Sequence, residues 1–304
     1  MKKVGIIVTN TEDWTARALF DAVIQKNFYP IFIKLKDTEV TIDSTINYTS
    51  NRTDLSELDA AIVRDVGSGP IESVSFRFDV LRQIENDGTL VVNTPESIQN
   101  AANKYYSSYL MAKENLPIPR TRIIQNTENA LKTLDNFRDA LIKPVFGFKG
   151  IGIVRIKNNT IIESDNSMNT QQVEKLVQNE LDRKGMLYIQ EYIPNQGRDI
   201  RAFVVDGELI GAIYRTAPDK KWISNLSQGG SYQRCILSTE QKEISIKAAK
   251  TIGSVFAGVD LIEGDHKTML LEVNGTPSGA GIYKAWNINP ANYIMDYIQK
   301  QMRI

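Results

Sequence analysis

The chain has 304 residues, 42% hydrophobic and 24% charged, enough for roughly two or three domains or subdomains around sizeable cores. Lys+Arg and Asp+Glu each number 36, so no overall basic field favours nucleic acid or an anionic membrane, and no apolar run approaches the ~18–20 residues of a membrane span. The single cysteine, Cys235, and single histidine, His266, exclude an internal disulfide and a Cys/His zinc site, and a nucleophilic triad would hang on His266 alone. Chemistry must therefore come from carboxylates, lysines, arginines and backbone groups.

The first ten residues, MKKVGIIVTN, are too briefly apolar for a signal peptide, and Glu12 and Asp13 follow at once. They read as the first strand, 3–9, of a cytoplasmic protein. The apolar spacing of 13–27 predicts a helix with Asp13 as N-cap. Strands are expected at 28–35, 58–66 and 89–95, with a helix at 74–86 that puts Phe76, Val80, Leu81 and Ile84 on one side. Strands alternating with helices imply a parallel sheet covered on both faces. This α/β unit is expected to span 1–95; the polar, β-prone stretch 36–57 has no assigned place in it.

A helix over 96–115 follows, ended by Pro117 and Pro119, then a short strand at 121–125 and a helix at 127–138. Residues 141–157, LIKPVFGFKGIGIVRIK, read as strand, glycine-rich loop, strand. Gly147, Gly150 and Gly152 would let backbone N–H groups approach phosphates closely, although an ordinary hairpin loop is the alternative. The spacing matches neither a P-loop nor a Rossmann fingerprint. Lys143, in an otherwise apolar strand end, calls for a negative partner, and a nucleotide phosphate would be one. A helix near 170–184 leads to a strand in MLYIQEYIP, 186–194, where Gln190 and Glu191 beside Tyr192 and Ile193 suit either an edge strand or backbone recognition of an adenine edge. Residues 96–191 are taken as a second unit and 192–304 as a third.

RDIRAFVVDGELIGAIYR, 198–215, is a hairpin about Asp206-Gly207. Asp199, Arg201 and Phe203 share a face, and Arg201 and Arg215 are expected to meet across the hairpin, as surface charge or as a clamp on an anionic substrate. Residues 216–234 read as a loop over a site. A helix with a Ser238–Gln241 capping box spans 238–256. The second hairpin, GVDLIEGDHKTMLLEVNGTPSG at 258–279, turns at Glu263–Thr268. Val259, Leu261, Leu271 and Val273 form its core face, and Asp260, Glu272 and Asn274 the other. With the turn centred on His266, Asp260 lies opposite Glu272. Two carboxylates and an amide oxygen suit a hard cation such as Mg²⁺; a solvated polar strand face is the alternative. A loop and a final helix near 290–302 complete the chain.

Taken in order, Lys104, Lys143 with its glycine loop, QEYI at 190–193, DIR at 199–201, SNLSQGG at 224–230, GVD at 258–260 and EVNGTP at 272–277 resemble the ATP-grasp ligases, and among them the ribosomal-protein glutamate ligase (RimK-like) family. The resemblance covers essentially the whole chain. It implies an α/β N-terminal domain followed by an α+β ATP-grasp fold of two subdomains that grip ATP. It makes Lys104 and Lys143 phosphate lysines, Gln190, Glu191, Tyr192 and Ile193 the adenine hinge, Asp199 a nucleotide contact, and Ser224 and Asn225 triphosphate or metal contacts. Asp260, Glu272 and Asn274 would hold two Mg²⁺ or Mn²⁺ ions, and Arg201 and Arg215 would be the catalytic cations. The sequence departs from the family at Ile223 and Gln228, where basic residues are usual; Lys220 or Lys221 are the candidates to replace them. VRDVG (63–67), SVSFRFDVLRQIE (73–85) and EVNGTPSGAG (272–281) resemble most the archaeal tetrahydromethanopterin:α-L-glutamate ligases. The activity implied is ATP-dependent joining of L-glutamate to an acceptor carboxylate through an acyl phosphate. Other branches of the family act on a deazaflavin coenzyme, a ribosomal protein C-terminus or an amino-group carrier protein. A cytoplasmic homo-oligomer with no nucleic-acid or membrane partner is expected. A non-catalytic nucleotide-binding protein of the same fold and a redox enzyme built on the N-terminal unit are the rival readings. The intact acidic trio argues against the first, and the missing glycine fingerprint near 9–14 against the second.

Overall fold

A computed structural model describes residues 1–147, 150–162, 168–169, 172–216, 231–265 and 267–302. Ser224, Asn225, Ile223, Gln228, Lys220, Lys221 and His266 lie outside them, as does most of the expected 216–234 loop.

The N-terminal part runs β1 (Lys3–Ile7), α1 (Trp14–Gln25), β2 (Tyr29–Ile33), β3 (Thr38–Ile42), β4 (Ile46–Ser50), β5 (Thr53–Asp54), β6 (Ala60–Val63), α2 (Ile71–Asn86) and β7 (Leu90–Val92). Its main sheet has the order β2-β1-β6-β7 and is parallel throughout. Alternate residues of β1 face opposite layers: Val4 and Ile6 pack with α1, Ile7 with α2. The stretch left unplaced by sequence is a small antiparallel sheet, β3-β4-β5. Asp13 caps α1 as expected, accepting from the Ala16 N–H. On α2 the buried arc is Phe78, Val80, Leu81 and Ile84; Phe76 lies beyond its edge and is exposed, correcting the expected face.

The expected single helix over 96–115 is two, α3 (Pro95–Ala102) and α4 (Lys104–Lys113). Asn103 leaves the helical conformation and uses its side-chain oxygen to accept from the Tyr106 N–H, a cap that ordinary helical spacing does not announce. The middle part continues with β8 (Thr121–Ile124), α5 (Thr127–Phe137), β9 (Asp139–Lys143), β10 (Val154–Lys157), β11 (Thr160–Ile162), β12 (Met168–Asn169), α6 (Val173–Lys184) and β13 (Leu187–Glu191). The six strands form a sheet of order β12-β11-β10-β9-β13-β8, covered by α5 and α6. Strand β13 runs between β9 and β8, so the edge-strand alternative for 187–191 is excluded.

The last part comprises β14 (Arg198–Val205), β15 (Glu208–Thr216), β16 (Ser231–Cys235), α7 (Thr239–Ile252), β17 (Phe256–Glu263), β18 (Thr268–Asn274), α8 (Ala280–Trp286) and α9 (Pro290–Gln301). Strand β16 and helix α8 replace stretches expected to be loop. The sheet order is β16-β15-β14-β17-β18. One face packs Ile200, Ala202, Val204, Val259 and Leu261 on α7, together with Met111 and Leu116 from the end of α4 and the loop after it. The other face divides: Phe203, Val205, Ile213 and Phe256 share a core with α1, α9 and the N-terminal sheet, while the remaining positions carry charge. The capping box of α7 is present on both sides, Ser238 to Gln241. Among the described residues no helix is long and apolar enough to cross a membrane.

The β17–β18 register pairs Val259 with Val273 and Asp260 with Glu272, as expected, then shifts by one residue so that Leu261 pairs with Leu270. A bulged residue reverses which neighbour points inward. Leu270 is therefore fully buried in the α7 core, and Leu271 lines the opposite cleft, correcting its expected place on the core face. Leu270→Ala should cost about 2–5 kcal/mol in urea unfolding, and Leu271→Ala less than half as much. The reverse ranking would contradict this register.

Candidate active site

Three adjacent strands set out the charged face. In β14, Asp199 lies opposite Arg215 of β15, and Arg201 lies opposite Asp260 of β17. The expected meeting of Arg201 with Arg215 is thus corrected. They sit on a diagonal, each facing an aspartate, and both reach the same one. Arg215 donates from Nε to Asp199 Oδ1 at 2.7 Å, and from its NH2 group to Asp199 Oδ2 and Asp260 Oδ2 at 2.8 Å each. Arg201 donates to both Asp260 oxygens, from NH2 at 2.9 Å and through a close Nε contact. Burial alone would raise the Asp260 carboxyl; the Arg201 and Arg215 guanidiniums outweigh it and pull it down to about 2. Burial likewise works against the Arg215 cation, and Asp260 and Asp199 more than restore it. Gly258 makes room for this: a Cβ there would stand 3.0 Å from both Cδ and NH1 of Arg201.

Glu272, opposite Asp260, is bound to the Lys104 ammonium at 3.1 Å. The break at Asn103 is what aims Lys104. As the first residue of α4, its backbone N–H donates to the Val145 carbonyl and its Nζ to the Gly147 carbonyl, both at 3.2 Å. Gly147 packs so tightly on Pro144 that a Cβ would come within 2.6 Å of the ring, and Gly150 and Gly152 have φ of +72° and +75°, which glycine adopts without strain.

Lys143 has no carboxylate partner within ion-pair distance among the described residues; its Nζ donates to Gln190 Oε1 at 2.6 Å. Burial lowers the ammonium to about 8, with Glu272 raising it and Lys104 lowering it further. The Gln190 side chain is buried and fully engaged, donating also to the Tyr188 and Thr121 hydroxyls at 2.9 and 3.2 Å. It holds the lysine and leaves any base recognition at this strand to backbone. Glu191 is bound bidentately by Arg120 at 2.7 and 2.9 Å, and the Arg155 guanidinium lies 3.5 Å over the Tyr192 ring while gripping Asp139. Arg120 and Arg155 escaped the sequence reading because neither stands in a motif; their partners are 71 and 16 residues away. Lys143, Glu191, Tyr192 and Ile193 of the six-stranded side and Asp199, Arg215, Asp260, Leu271 and Glu272 of the five-stranded side line one cleft.

The donor set fits a hard cation. A carboxylate has about four lone-pair sites. Asp260 spends three on arginines. Among the described residues Glu272 has Lys104 as its one salt-bridge partner, and Asn274 Oδ1 accepts a single bond, from the Thr276 N–H at 2.9 Å. Each keeps an oxygen lone pair for a metal. Among the described residues no group of three His, Cys, Asp or Glu could hold an ion alone, so a cation here must draw further oxygens from a bound molecule.

Two joined antiparallel sheets enclosing a cation-lined cleft, beside a parallel α/β unit, define an ATP-grasp ligase, and the RimK-like ATP-grasp domain matches residues 101–298. The chain belongs to that family. It is 51% identical to the tetrahydromethanopterin:alpha-L-glutamate ligase of Methanosarcina acetivorans over 98% of this chain and 99% of that protein, and 31% identical to the ligase of the same name from Methanococcus maripaludis over 95% and 96%. Its fold is similar to that of the ATP-grasp ligase PsnB, complexed with a precursor variant, Mg and ADP, at a TM-score of 0.74 and 18% identity over 98% of each chain. ATP-grasp ligases use ATP with Mg²⁺, and the relatives are glutamate ligases.

A phosphate brought to Lys143 must raise its pKa. Burial holds the free ammonium down at about 8, so binding a non-hydrolysable ATP analogue at alkaline pH should take up protons, and affinity should fall as pH rises above that value. Calorimetry in buffers of different ionisation enthalpy reads the uptake, and Lys143→Met should abolish it. Equal uptake in that variant would assign the proton to another group.

Proposed function

We propose that this chain joins L-glutamate to a carboxylate of a tetrahydromethanopterin-type coenzyme, with ATP converted to ADP and phosphate. The names of the relatives support the acceptor. The observation that carries the site assignment is the pairing of Arg201 and Arg215 with Asp260 and of Lys104 with Glu272, beside Lys143 in the cleft that Arg215, Asp260 and Glu272 line. We divide the chain at about 95 and 191, so that ATP lies between the second and third units.

A carboxylate is a poor electrophile because its carbonyl is electron-rich. In the proposed route an acceptor oxygen attacks the γ-phosphorus, ADP leaves, and the acyl phosphate is attacked at carbon by the glutamate amine; phosphate departs with one acceptor oxygen. The protein supplies position and charge compensation rather than a nucleophile. Lys143 meets the phosphates with a cation that burial has left under-compensated. Lys104 ties the glycine loop to Glu272, and the backbone of Glu191–Ile193 takes the adenine, its strand end braced by Arg120 and Arg155. A guanidinium has five N–H donors. Arg201 spends two on Asp260, and Arg215 three on Asp199 and Asp260. Among the described residues these bonds leave the NH1 groups, and in the proposed role Arg215, which lines the cleft, would offer its own to a developing acyl phosphate. Asp260, Glu272 and Asn274 would hold two Mg²⁺ ions, with Mn²⁺ able to substitute, and Ser224 and Asn225 remain candidate triphosphate contacts. When bound, the ions neutralise triphosphate charge as Lewis acids.

The test is ADP release with Mg-ATP, L-glutamate and a panel of carboxylate acceptors, the coenzyme being labelled with heavy oxygen in its carboxylate. The tetrahydropterin should be turned over fastest, and label should appear in inorganic phosphate; AMP as product, or unlabelled phosphate, would overturn the acyl-phosphate route. A deazaflavin or peptide acceptor preferred over the pterin would reassign the substrate. Lys143→Ala should lower turnover by roughly 10²–10³. Arg201→Lys should be damaging as well, since lysine lacks the planar fork that grips both Asp260 oxygens.

A further inference from the structure

The cation-binding hairpin is open at one end, and the N-terminal unit closes it. The β17–β18 pairing ends at Gly258 with Asn274. Beyond that point Phe256, which pairs with Val205 of β14 on its other side, and Gly275 have no partner in the β17–β18 ladder. The buried side chain of Asn93, just past β7, stands between them. Its Oδ1 accepts from the Phe256 N–H at 2.9 Å, and its Nδ2 donates to the Phe256 carbonyl at 2.6 Å and to the Gly275 carbonyl. One amide thus bridges Phe256 and Gly275 where the β17–β18 pairing has stopped. The next residues are fixed from the same unit. Arg64, bound to Asp13 at 2.9 Å, donates to the Thr276 carbonyl at 3.3 Å, and the Thr15 and Ser278 hydroxyls lie 3.1 Å apart. Gly275 packs against α3, where a Cβ would meet Ala101 at 3.3 Å. Thr276 in turn donates its N–H to Asn274 Oδ1, which sets the direction of that amide.

We propose that Asn93 and Arg64 are positioning residues for the cation site: they fix residues 275–276, and through the Thr276 N–H they aim Asn274. This rests on the reading of Asp260, Glu272 and Asn274 as ion ligands. Neither residue touches the reacting groups. The N-terminal α/β unit therefore takes part in the chemistry of a site whose ligands all lie more than 150 residues further along the chain. Supports of metal ligands are worth about 10–100-fold in affinity when removed.

The test titrates Mn²⁺ into the full chain holding a non-hydrolysable ATP analogue and follows water-proton relaxation, which responds to protein-bound ion. Asn93→Leu, close in shape but without the donors and acceptor, should weaken Mn²⁺ binding by about tenfold or more. Arg64→Gln, at a part-exposed position that leaves the core intact, should weaken it in the same direction. Leu81→Ala, which disturbs the core of the N-terminal unit without touching residues 275–278, should leave the Mn²⁺ affinity of the folded fraction unchanged and so separates positioning from stability. Wild-type affinity in both Asn93→Leu and Arg64→Gln, or equal weakening by Leu81→Ala, would overturn the proposal. Glu272→Ala tests the underlying reading separately: full Mn²⁺ binding in that variant would sink the ion-ligand assignment itself.

Discussion

A carboxylate held between two guanidiniums governs the five-stranded sheet. Asp260 is almost fully buried and would be costly there as a lone charge. It is tolerated because strand pairing delivers its partners. Arg201 stands directly opposite it on β14, and Arg215 reaches it across β14 from β15 while Asp199 balances that second arginine. Two aspartates and two arginines leave no net charge in the four-residue cluster. Directly opposed cross-strand pairs are the arrangement in which opposite charges gain most. Loss of any one member would leave a buried charge unpaired, a cost of about 3–5 kcal/mol in comparable cases. The three central strands are accordingly fixed in register by electrostatics on one face and by the α7 core on the other.

Around this neutral cluster the balance tips positive. Lys104 and Lys143 accompany a single further carboxylate, Glu272, and Lys143 is left to a neutral glutamine. The proposed phosphate role of Lys143 rests on that unpaired cation. The protein has placed a charge where burial disfavours it, in a cleft whose remaining charges are paired. In the proposed role a phosphate arriving there would relieve an existing penalty. The rim repeats the logic at lower cost: Arg120 and Arg155 brace the strand end at Glu191 and Tyr192 through a bidentate pair and a stacked ring.

Much of this was legible in the sequence because strand periodicity is rigid. Alternation placed Asp260, Glu272 and Asn274 on one face, and a turn centred on His266 put Asp260 opposite Glu272. It failed at Leu271, since a bulge adds one residue and nothing in TMLLEVN marks where. Helix spacing located α1 and its Asp13 cap but ran through Asn103, whose side chain competes with the helix for the same backbone groups. Lys143 was found by its anomaly, a charge in an apolar strand. Asn93 carried no such anomaly: in TLVVNTP it reads as a polar strand end, and its partners lie 163 and 182 residues away. The family resemblance pointed to Gln190 as part of a base-recognition hinge, whereas in three dimensions its side chain is the holder of Lys143.

Long-range contacts of this kind explain why a small α/β unit is joined to the two antiparallel sheets. The unit contributes no charged side chain to the described lining of the cleft, yet its strand end and its first helix fix the loop that follows Asn274, the last of the proposed ion ligands. Its core is continuous with that of the five-stranded sheet through α1 and α9, so the fixing point is as stiff as the core behind it. The same sheet is therefore held at three places by different physics: apolar packing on α7, a charge-neutral cluster at its centre, and a side-chain amide at its open end. A cation site needs ligand oxygens placed within tenths of an ångström. A two-stranded hairpin with a bulge on one side and an open end on the other would not supply that alone. The bulge lies on the far side of the Asp260–Glu272 pair, where the α7 core absorbs it, which leaves the open end as the point that the N-terminal unit must hold.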